Sequence, residues 1–247
     1  YNRMIHRIRI LMDEISDKEK TLRHAELNAL VSQINPHFLY NTLETIRMKA
    51  FKANDREVAR AIKLLGKSMR YVLENTGTSF TTLSKELEHI KVYLDIQKLR
   101  FTDKFDSEIE VMEDIDPGKL LILPLLLQPV VENAILHGLE EKEKGGLIHI
   151  LVRKQLEEEE LLCIEVSDNG NGMTEEALAF LQSTIEEKDI SRNKSIGLYN
   201  INQRIKLTYG QKYGVKIFSN IEEGTRVSLF IPINRMKETA VVTANEG

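Results

Sequence analysis

Tryptophan is absent from the chain, and cysteine occurs once, as Cys163 in the apolar run Leu161-Leu162-Cys163-Ile164. A single cysteine excludes a disulfide framework and favours a reducing compartment; in this setting it reads as a small buried hydrophobe. Excess positive charge is missing too, since 34 Lys and Arg stand against 38 Asp and Glu for a net charge of −4. That balance gives no basic stripe for nucleic acid and no polybasic segment for anionic lipid. No stretch reaches the roughly 18 consecutive apolar residues that would span a bilayer, and no signal peptide is visible. There is no Walker-type Gly-Lys-Ser/Thr, so phosphates bound here would not sit in a P-loop. What is present is a globular composition, 42% hydrophobic and 29% charged over 247 residues, enough for one large domain or two ordinary ones. The chain opens at Tyr1, in mid-pattern, and reads as a fragment of a longer protein.

The first hundred residues carry helical periodicity, with apolar positions at alternating steps of three and four. Ile5, Ile8, Met12, Ile15 and Leu22 form a seam spaced for a coiled coil over residues 1–23. Leu39, Leu43, Ile46 and Ala50 make a stripe just past His37. Asn54-Asp55 then breaks the pattern and offers N-cap oxygens to a second helix with Val58, Ile62, Leu65, Met69 and Val72 on one face. After the turn at Asn75-Thr76-Gly77-Thr78-Ser79, a third helix carries Leu83, Leu87, Ile90, Leu94 and Gln97. Its start resembles a capping arrangement, with Ser84 at the N-cap and Leu87 the first buried residue. Two long helices with a short connection cannot bury their apolar faces alone. Two such hairpins from two chains would make a four-helix bundle, which predicts a homodimer; an intramolecular coiled coil is the alternative.

Beyond residue 101 the texture becomes mixed. Phe105 to Val111 alternates like a strand, and Pro124 is expected to open a helix through His137. Residues 147–154 and 161–168 read as a hairpin around an acidic turn at 157–160. Residues 174–182 and 197–208 read as helices, and 215–219 with 225–231 as a closing hairpin around Glu222-Glu223-Gly224. Hairpins mixed with helices predict an α+β sandwich over 102–235 and not a doubly wound parallel sheet. Residues 236–247 have no periodicity and read as a frayed tail.

Asp168-Asn169-Gly170-Asn171-Gly172-Met173 ends an apolar strand. A carboxylate there can accept from an exocyclic amine while the glycines let the backbone approach a flat base; the plainer reading is an Asp-Gly turn. Asn133 offers a carboxamide oxygen suited to Mg²⁺. Ser195-Ile196-Gly197-Leu198-Tyr199-Asn200 places glycine at a helix N-terminus, where free N–H groups attract phosphate. Gly224-Thr225 begins the last strand and puts a hydroxyl within range of such a pocket.

Glu132-Asn133-Ala134, Asp168-x-Gly170-x-Gly172, Gly197-Leu198-x-Asn200 and Gly224-Thr225 follow the order of the motifs of the GHKL ATPase superfamily. That superfamily includes sensor histidine kinases, Hsp90-type chaperones and type II topoisomerases. The resemblance implies that Asn133 binds Mg²⁺, that Asp168 reads the adenine amine, and that Gly170, Gly172 and Met173 shape the adenine wall. Gly197, Leu198 and Asn200 would close over the phosphates of ATP, Gly224 and Thr225 would assist at the adenine side, and residues 174–195 would be the ATP lid. His137, one turn past Asn133, either touches the phosphates or packs. Arg204 reaches a phosphate or makes a surface salt bridge, and His24, His89 and His149 read as solvated or strand-face residues.

Gln33-Ile34-Asn35-Pro36-His37-Phe38-Leu39-Tyr40-Asn41 is similar to the phosphoacceptor box of LytS/YesM-like sensor histidine kinases. Leu126-Leu127-Gln128-Pro129-Val130-Val131-Glu132-Asn133-Ala134-Ile135-x-His137-Gly138 matches the second motif of that subfamily, and Tyr93-Leu94-x-Ile96-Gln97-x-Leu99-Arg100-Phe101 its linker. Pro36 is expected inside a helix, where a proline kinks the axis at a cost of roughly 3 kcal/mol. The resemblance divides the chain into a signalling coiled coil (1–23), dimerisation and phosphotransfer helices with their linker (24–101), the ATP-binding domain (102–235) and a tail (236–247). It implies autophosphorylation of His37 from Mg·ATP, then transfer to an aspartate of a response regulator receiver domain. The setting implied is the cytoplasmic part of a membrane-anchored receptor, with the membrane reached only through upstream segments.

Two departures bear on mechanism. Phe38 stands where most histidine kinases carry an acidic residue after the histidine, which leaves the proton acceptor open between Glu132 and a solvent route. Pro129 stands four before Asn133, in place of the Glu that activates water in the hydrolytic members. Asn41, one turn after His37, is a candidate for positioning water in a phosphatase reaction. The competing reading is an ATP-gated conformational dimer with no phosphohistidine.

Overall fold

A computed structural model describes residues 35–102, 104–139, 142–156, 160–186 and 196–233. The expected coiled coil before residue 24, the start of the phosphoacceptor box at Gln33-Ile34, the later part of the lid and the tail lie outside the described residues. The chain divides into two compact units, residues 1–79 and 80–247.

In the first unit α1 (Pro36–Lys52) packs against α2 (Arg56–Asn75). Asn54 takes a left-handed conformation (φ 59°) in the tight connection, and the Asp55 carboxylate accepts from Val58 N at 3.0 Å, the cap its sequence position predicts. Pro36 corrects an expectation. It stands in the first turn of α1 behind the N-cap Asn35, whose side-chain oxygen accepts from Phe38 N at 3.2 Å. A first-turn proline lacks an N–H where the helix has no use for one, so the interior penalty does not arise.

The second unit begins with β1 (Thr81–Thr82), which runs directly into α3 (Leu83–Arg100). Strand β1 pairs antiparallel with β3 (Leu121–Ile122), while Leu83 N donates to Leu120 O and Ser84 N to Pro117 O. The N-cap of α3 is Thr82, which accepts from Lys85 N, and the first buried residue is Leu83. Both fall earlier than the expected Ser84 and Leu87, because β1 fixes the entry of the chain. Leu83, Leu87, Ile90 and Leu94 then bury in the same core as the sheet.

That sheet has the order β2-β4-β5-β7-β6. It comprises β2 (Phe105–Val111), β4 (Gly146–Leu156), β5 (Glu160–Asp168), β6 (Gly214–Asn220) and β7 (Gly224–Pro232). Only β2 and β4 run parallel; the two expected hairpins, β4 with β5 and β6 with β7, are antiparallel. Residues directly opposite share a face, so the register defines the inward layer: Ile148 faces Asp168, Ile150 faces Val166 and Val152 faces Ile164. On the other side of β5, Leu229 meets Ile164 and Val227 meets Val166. Helices α4 (Gln128–Asn133), α5 (Glu175–Glu186) and α6 (Ile196–Tyr209) complete this unit. Leu198, Ile201 and Ile205 of α6 join the core.

The helix expected from Pro124 starts later, at Gln128, and after Asn133 widens into a π-helical turn, Ala134–Gly138. Residues 124–127 form an irregular loop in which Leu125 has φ 54°. Helix is broken at Leu125 by that positive φ, and the N–H groups of Leu125, Leu126 and Leu127 all donate to the Glu86 carboxylate of α3.

Candidate nucleotide site

Asp168 is the last residue of the inward row Leu162, Ile164, Val166, Asp168 on β5, so strand alternation points a carboxylate where the core would place an apolar side chain. It is 8% exposed. Gly170 N at 2.9 Å and Thr225 N at 3.3 Å both donate to Oδ1, so Oδ2 is the acceptor left for a ligand among the described residues. Burial pushes the Asp168 carboxyl above its usual range, opposed by those two N–H groups and by Lys142.

Glycine surrounds this carboxylate because nothing larger fits. A Cβ on Gly138 would lie 2.6 Å from each Asp168 oxygen, and one on Gly170 would overlap the Gly138 carbonyl. Gly172, at φ 66°, has the Asn220 carbonyl in the same position, and Gly224, at φ 91°, has the carbonyl of Asp168 itself. Ser219 ties the remaining edge together: its Oγ lies 2.9 Å from Thr225 Oγ1, donates to Gly224 O and accepts from Met173 N. The structure thus brings Asp168, Gly170, Gly172, Met173, Gly224 and Thr225 into one cluster. Gly138 and Ser219 are additions. Gly138 was visible only as the end of a motif, and Ser219 carries no pattern of its own.

Asn133 ends α4 half-buried, and its Nδ2 lies 4.0 Å from where a Gly197 Cβ would be; Pro129 Cβ is 3.6 Å from the same point. The start of α6 therefore approaches the α4 face that bears Asn133. Leu198 is 5% exposed and anchors that start in the core, leaving its backbone to any ligand. Asn200 instead lines a cleft of about 490 Å³ with Pro129, Gly197, Ile201, Gln203, Arg204 and Leu207. His137 is exposed on the π-helical turn and Glu132 is half-buried. Among the described residues no group of three or more His, Cys, Asp or Glu side chains stands ready for a metal. An ion here would take most of its ligands from phosphate and water, as Mg²⁺ does, and the Asn133 carboxamide oxygen fits that role.

Two expectations are corrected. Arg204 is not the expected surface salt bridge among the described residues: it is part-buried, its guanidinium donates to Pro124 O at 2.7 Å and Leu125 O at 3.4 Å, and burial lowers its pKa. His89 is not solvated: it is 3% exposed, and its Nε2 meets Gln128 Oε1 at 2.9 Å. His149 does lie on a strand, 3.3 Å from Glu110. Asn202 is fully buried and has no signal in the sequence. It donates to Ile185 O and accepts from Val215 N, joining α6 to α5 and β6. An asparagine inside an amphipathic helix gives no sign of such distant partners.

In the first unit His37 is exposed in the opening turn of α1. Asn41 Nδ2 lies 3.2 Å from its Nδ1 and 3.4 Å from its Nε2. Phe38 beside it is 65% exposed.

The five-stranded mixed sheet with a buried carboxylate over a glycine turn defines a histidine kinase-, DNA gyrase B- and HSP90-like ATPase, and the family model of that description matches residues 122–235. The model described as histidine kinase matches residues 25–105. The chain belongs to the sensor histidine kinase family, of the LytS and YesM kind. It is 35% identical to Sensor histidine kinase YesM of Bacillus subtilis over 93% of this chain and 37% of that protein. Sensor protein LytS of the same organism is 32% identical over 95% of this chain and 38% of its own length. Putative uncharacterized protein YwpD, also from Bacillus subtilis, is 37% identical over 83% of this chain and 69% of its own. The chain therefore spans less than two fifths of the YesM and LytS relatives. Among the described residues no helix is long and apolar enough to cross a membrane.

Proposed function

We propose that this chain is an autokinase core: it binds Mg·ATP in the second unit and moves the γ-phosphoryl group to His37. The observation that carries the reading is His37 itself, an exposed imidazole held by Asn41 on a chain that also bears the Asp168 cradle. Asp168 Oδ2 accepts from the adenine amine, with Gly170, Gly172 and Met173 against the ring and Thr225 beside it. Gly197, Leu198 and Asn200 cover the phosphates. Asn133 holds Mg²⁺, which when bound neutralises phosphate charge; positioning supplies much of the rest.

Phosphorus accepts a lone pair from one imidazole nitrogen as its bond to the bridging oxygen breaks and ADP leaves. A neutral imidazole has that lone pair available on its unprotonated nitrogen. Asn41 reaches the ring through its amide nitrogen, Nδ2, 3.2 Å from Nδ1, where it donates and holds the imidazole in place. The ring proton then leaves to Glu132 or to solvent, since Phe38 offers no base. Pro129, in place of a water-activating carboxylate, favours transfer over hydrolysis. Phosphohistidine would pass its group to an aspartate of a response regulator. The homodimer, the receiver-domain partner and a cytoplasmic position beneath a membrane-anchored sensor belong to the same proposal.

Incubation with γ-labelled ATP tests it. Wild type should acquire acid-labile label; His37→Gln should acquire none; Asn41→Ala should label more slowly. Acid-stable label, or full label on His37→Gln, would sink this reading; steady multiple-turnover hydrolysis by His37→Gln would replace it with the ATP-gated clamp.

A further inference from the structure

Helix α3 carries a polar stripe that the nucleotide chemistry above leaves unused. Glu86, His89 and Tyr93 are spaced three and four apart and so share one face of the helix. Glu86 and His89 hydrogen-bond to the segment that leads into or opens α4, and Tyr93 feels the charge of Glu132 within it. Glu86 is fully buried: its Oε1 accepts from Leu126 N at 2.8 Å and Leu127 N at 2.9 Å, and its Oε2 from Leu125 N at 3.0 Å. His89 meets Gln128, the first residue of α4. Tyr93 lies near enough to Glu132 for that charge to act on its phenol, which burial chiefly, and then Glu132, push up to about 12. The partners at 128 and 132 are themselves one helical turn apart, so the stripe runs along α4.

The loop is held from its other side as well. Arg204 of α6 donates to the carbonyls of Pro124 and Leu125, while Glu86 takes the next three N–H groups. Carbonyls and amides of one short loop, with Leu125 at φ 54°, are thus gripped by a cation from the phosphate-side helix and an anion from α3. Beyond α4, Gly138 is wedged against Asp168. Asn133 lies between these two anchors. Releasing the first lets α4 pivot about the second, which moves Asn133 and leaves Asp168 with its strand partners.

We infer that Glu86 is a positioning residue for the metal end of the nucleotide site: through the loop at residues 124–127, and opposite Arg204, it sets where Asn133 stands. This rests on the ATP reading above. It also gives the helix that follows the phosphoacceptor hairpin in the chain a direct hold on the metal-binding helix.

The test separates the two ends of the ligand. Calorimetric titration of the whole 247-residue chain with Mg·ADP reads both ends; titration with ADP in a chelator reads mainly the adenine end at Asp168. Glu86→Gln keeps an acceptor but points an amide N–H₂ at backbone donors. It should weaken Mg·ADP binding about tenfold, the usual effect of disturbing a group behind a metal ligand, and leave metal-free ADP binding unchanged. Should Glu86→Gln not fold, Arg204→Lys, which loses the two-carbonyl fork, must show the same selective loss. Equal weakening of both ligands, or no weakening of either in a folded variant, overturns the inference while the ATP reading stands. A wild type that binds neither ligand overturns the ATP reading first, and this inference with it.

Discussion

A carboxylate at the end of a core-facing strand row opposes folding and favours binding. Asp168 is buried, and its pKa is raised above the ordinary 3.8 chiefly by desolvation. A raised carboxyl pKa means that the fold prefers the protonated form. Its contribution to stability is present at low pH and is lost as pH rises through the folded value. At neutral pH the ionised group therefore costs stability. Asp168→Asn removes the charge while its Oδ1 still accepts from Gly170 N and Thr225 N, and its amide replaces the free Oδ2. The variant should melt higher than wild type at pH 7, the difference closing toward pH 3.8, yet bind ATP about 100-fold more weakly, as losing a hydrogen bond to a charged acceptor implies. Melting curves and ATP titrations on the same samples check both halves; a variant that melts lower at pH 7 refutes the electrostatic account. Asp168 was legible because the apolar alternation of β5 ends in Asp-x-Gly-x-Gly. Glu86 was not: near a helix start an acidic residue reads as capping chemistry, and its partners stand 39 to 41 residues away.

At the scale of elements, periodicity found the strands and most of the helices, and the errors cluster where tertiary contacts set a boundary. Pro36 looked internal because apolar steps of three and four continue on both sides of it, whereas Asn35 starts α1 there with an N-cap. The helix expected from Pro124 starts only at Gln128, after the left-handed Leu125 and a loop whose N–H groups bond to Glu86. Its C-terminal end widened into the π-helical turn that delivers Gly138 to Asp168. No sequence period marks such a turn, since one extra residue per turn is its whole signature. The turn makes a specific demand: the residue facing the carboxylate must lack a Cβ. Gly138→Ala, where a methyl would stand 2.6 Å from both Asp168 oxygens, should cost about 1–3 kcal/mol, as overpacking does, and abolish ATP binding as Asp168 is displaced. Gly145→Ala supplies the contrast. Its Cβ meets nothing within 4 Å, so it should pay only the backbone strain of φ 73° and keep nucleotide affinity. Urea denaturation with parallel ATP titration separates the two, and equal loss of affinity in both would refute the close-approach argument.

For the whole molecule the open question is what the hairpin does with its apolar residues. α1 has no buried residue among those described and α2 has only Ala59, although α2 is strongly amphipathic in sequence. Val58 and Leu65 are each 44% exposed, while Ile62, Met69 and Val72 on the same stripe are half-buried. Burying side chains of this size contributes about 1.5–3 kcal/mol each, so a second copy presenting the same stripe has ample reason to associate, and a four-helix bundle is the arrangement that short hairpins allow. Sedimentation should therefore give twice the chain mass for wild type. Leu65→Glu places a charge in the middle of the stripe and should shift the protein to monomer at micromolar concentration while leaving ATP affinity in the second unit unchanged. Leu207 is more exposed still, at 79%, but it belongs to the ATP-binding unit, and Leu207→Glu should leave the dimer intact. Both variants staying dimeric, or both becoming monomeric, would move the association surface away from the α2 stripe.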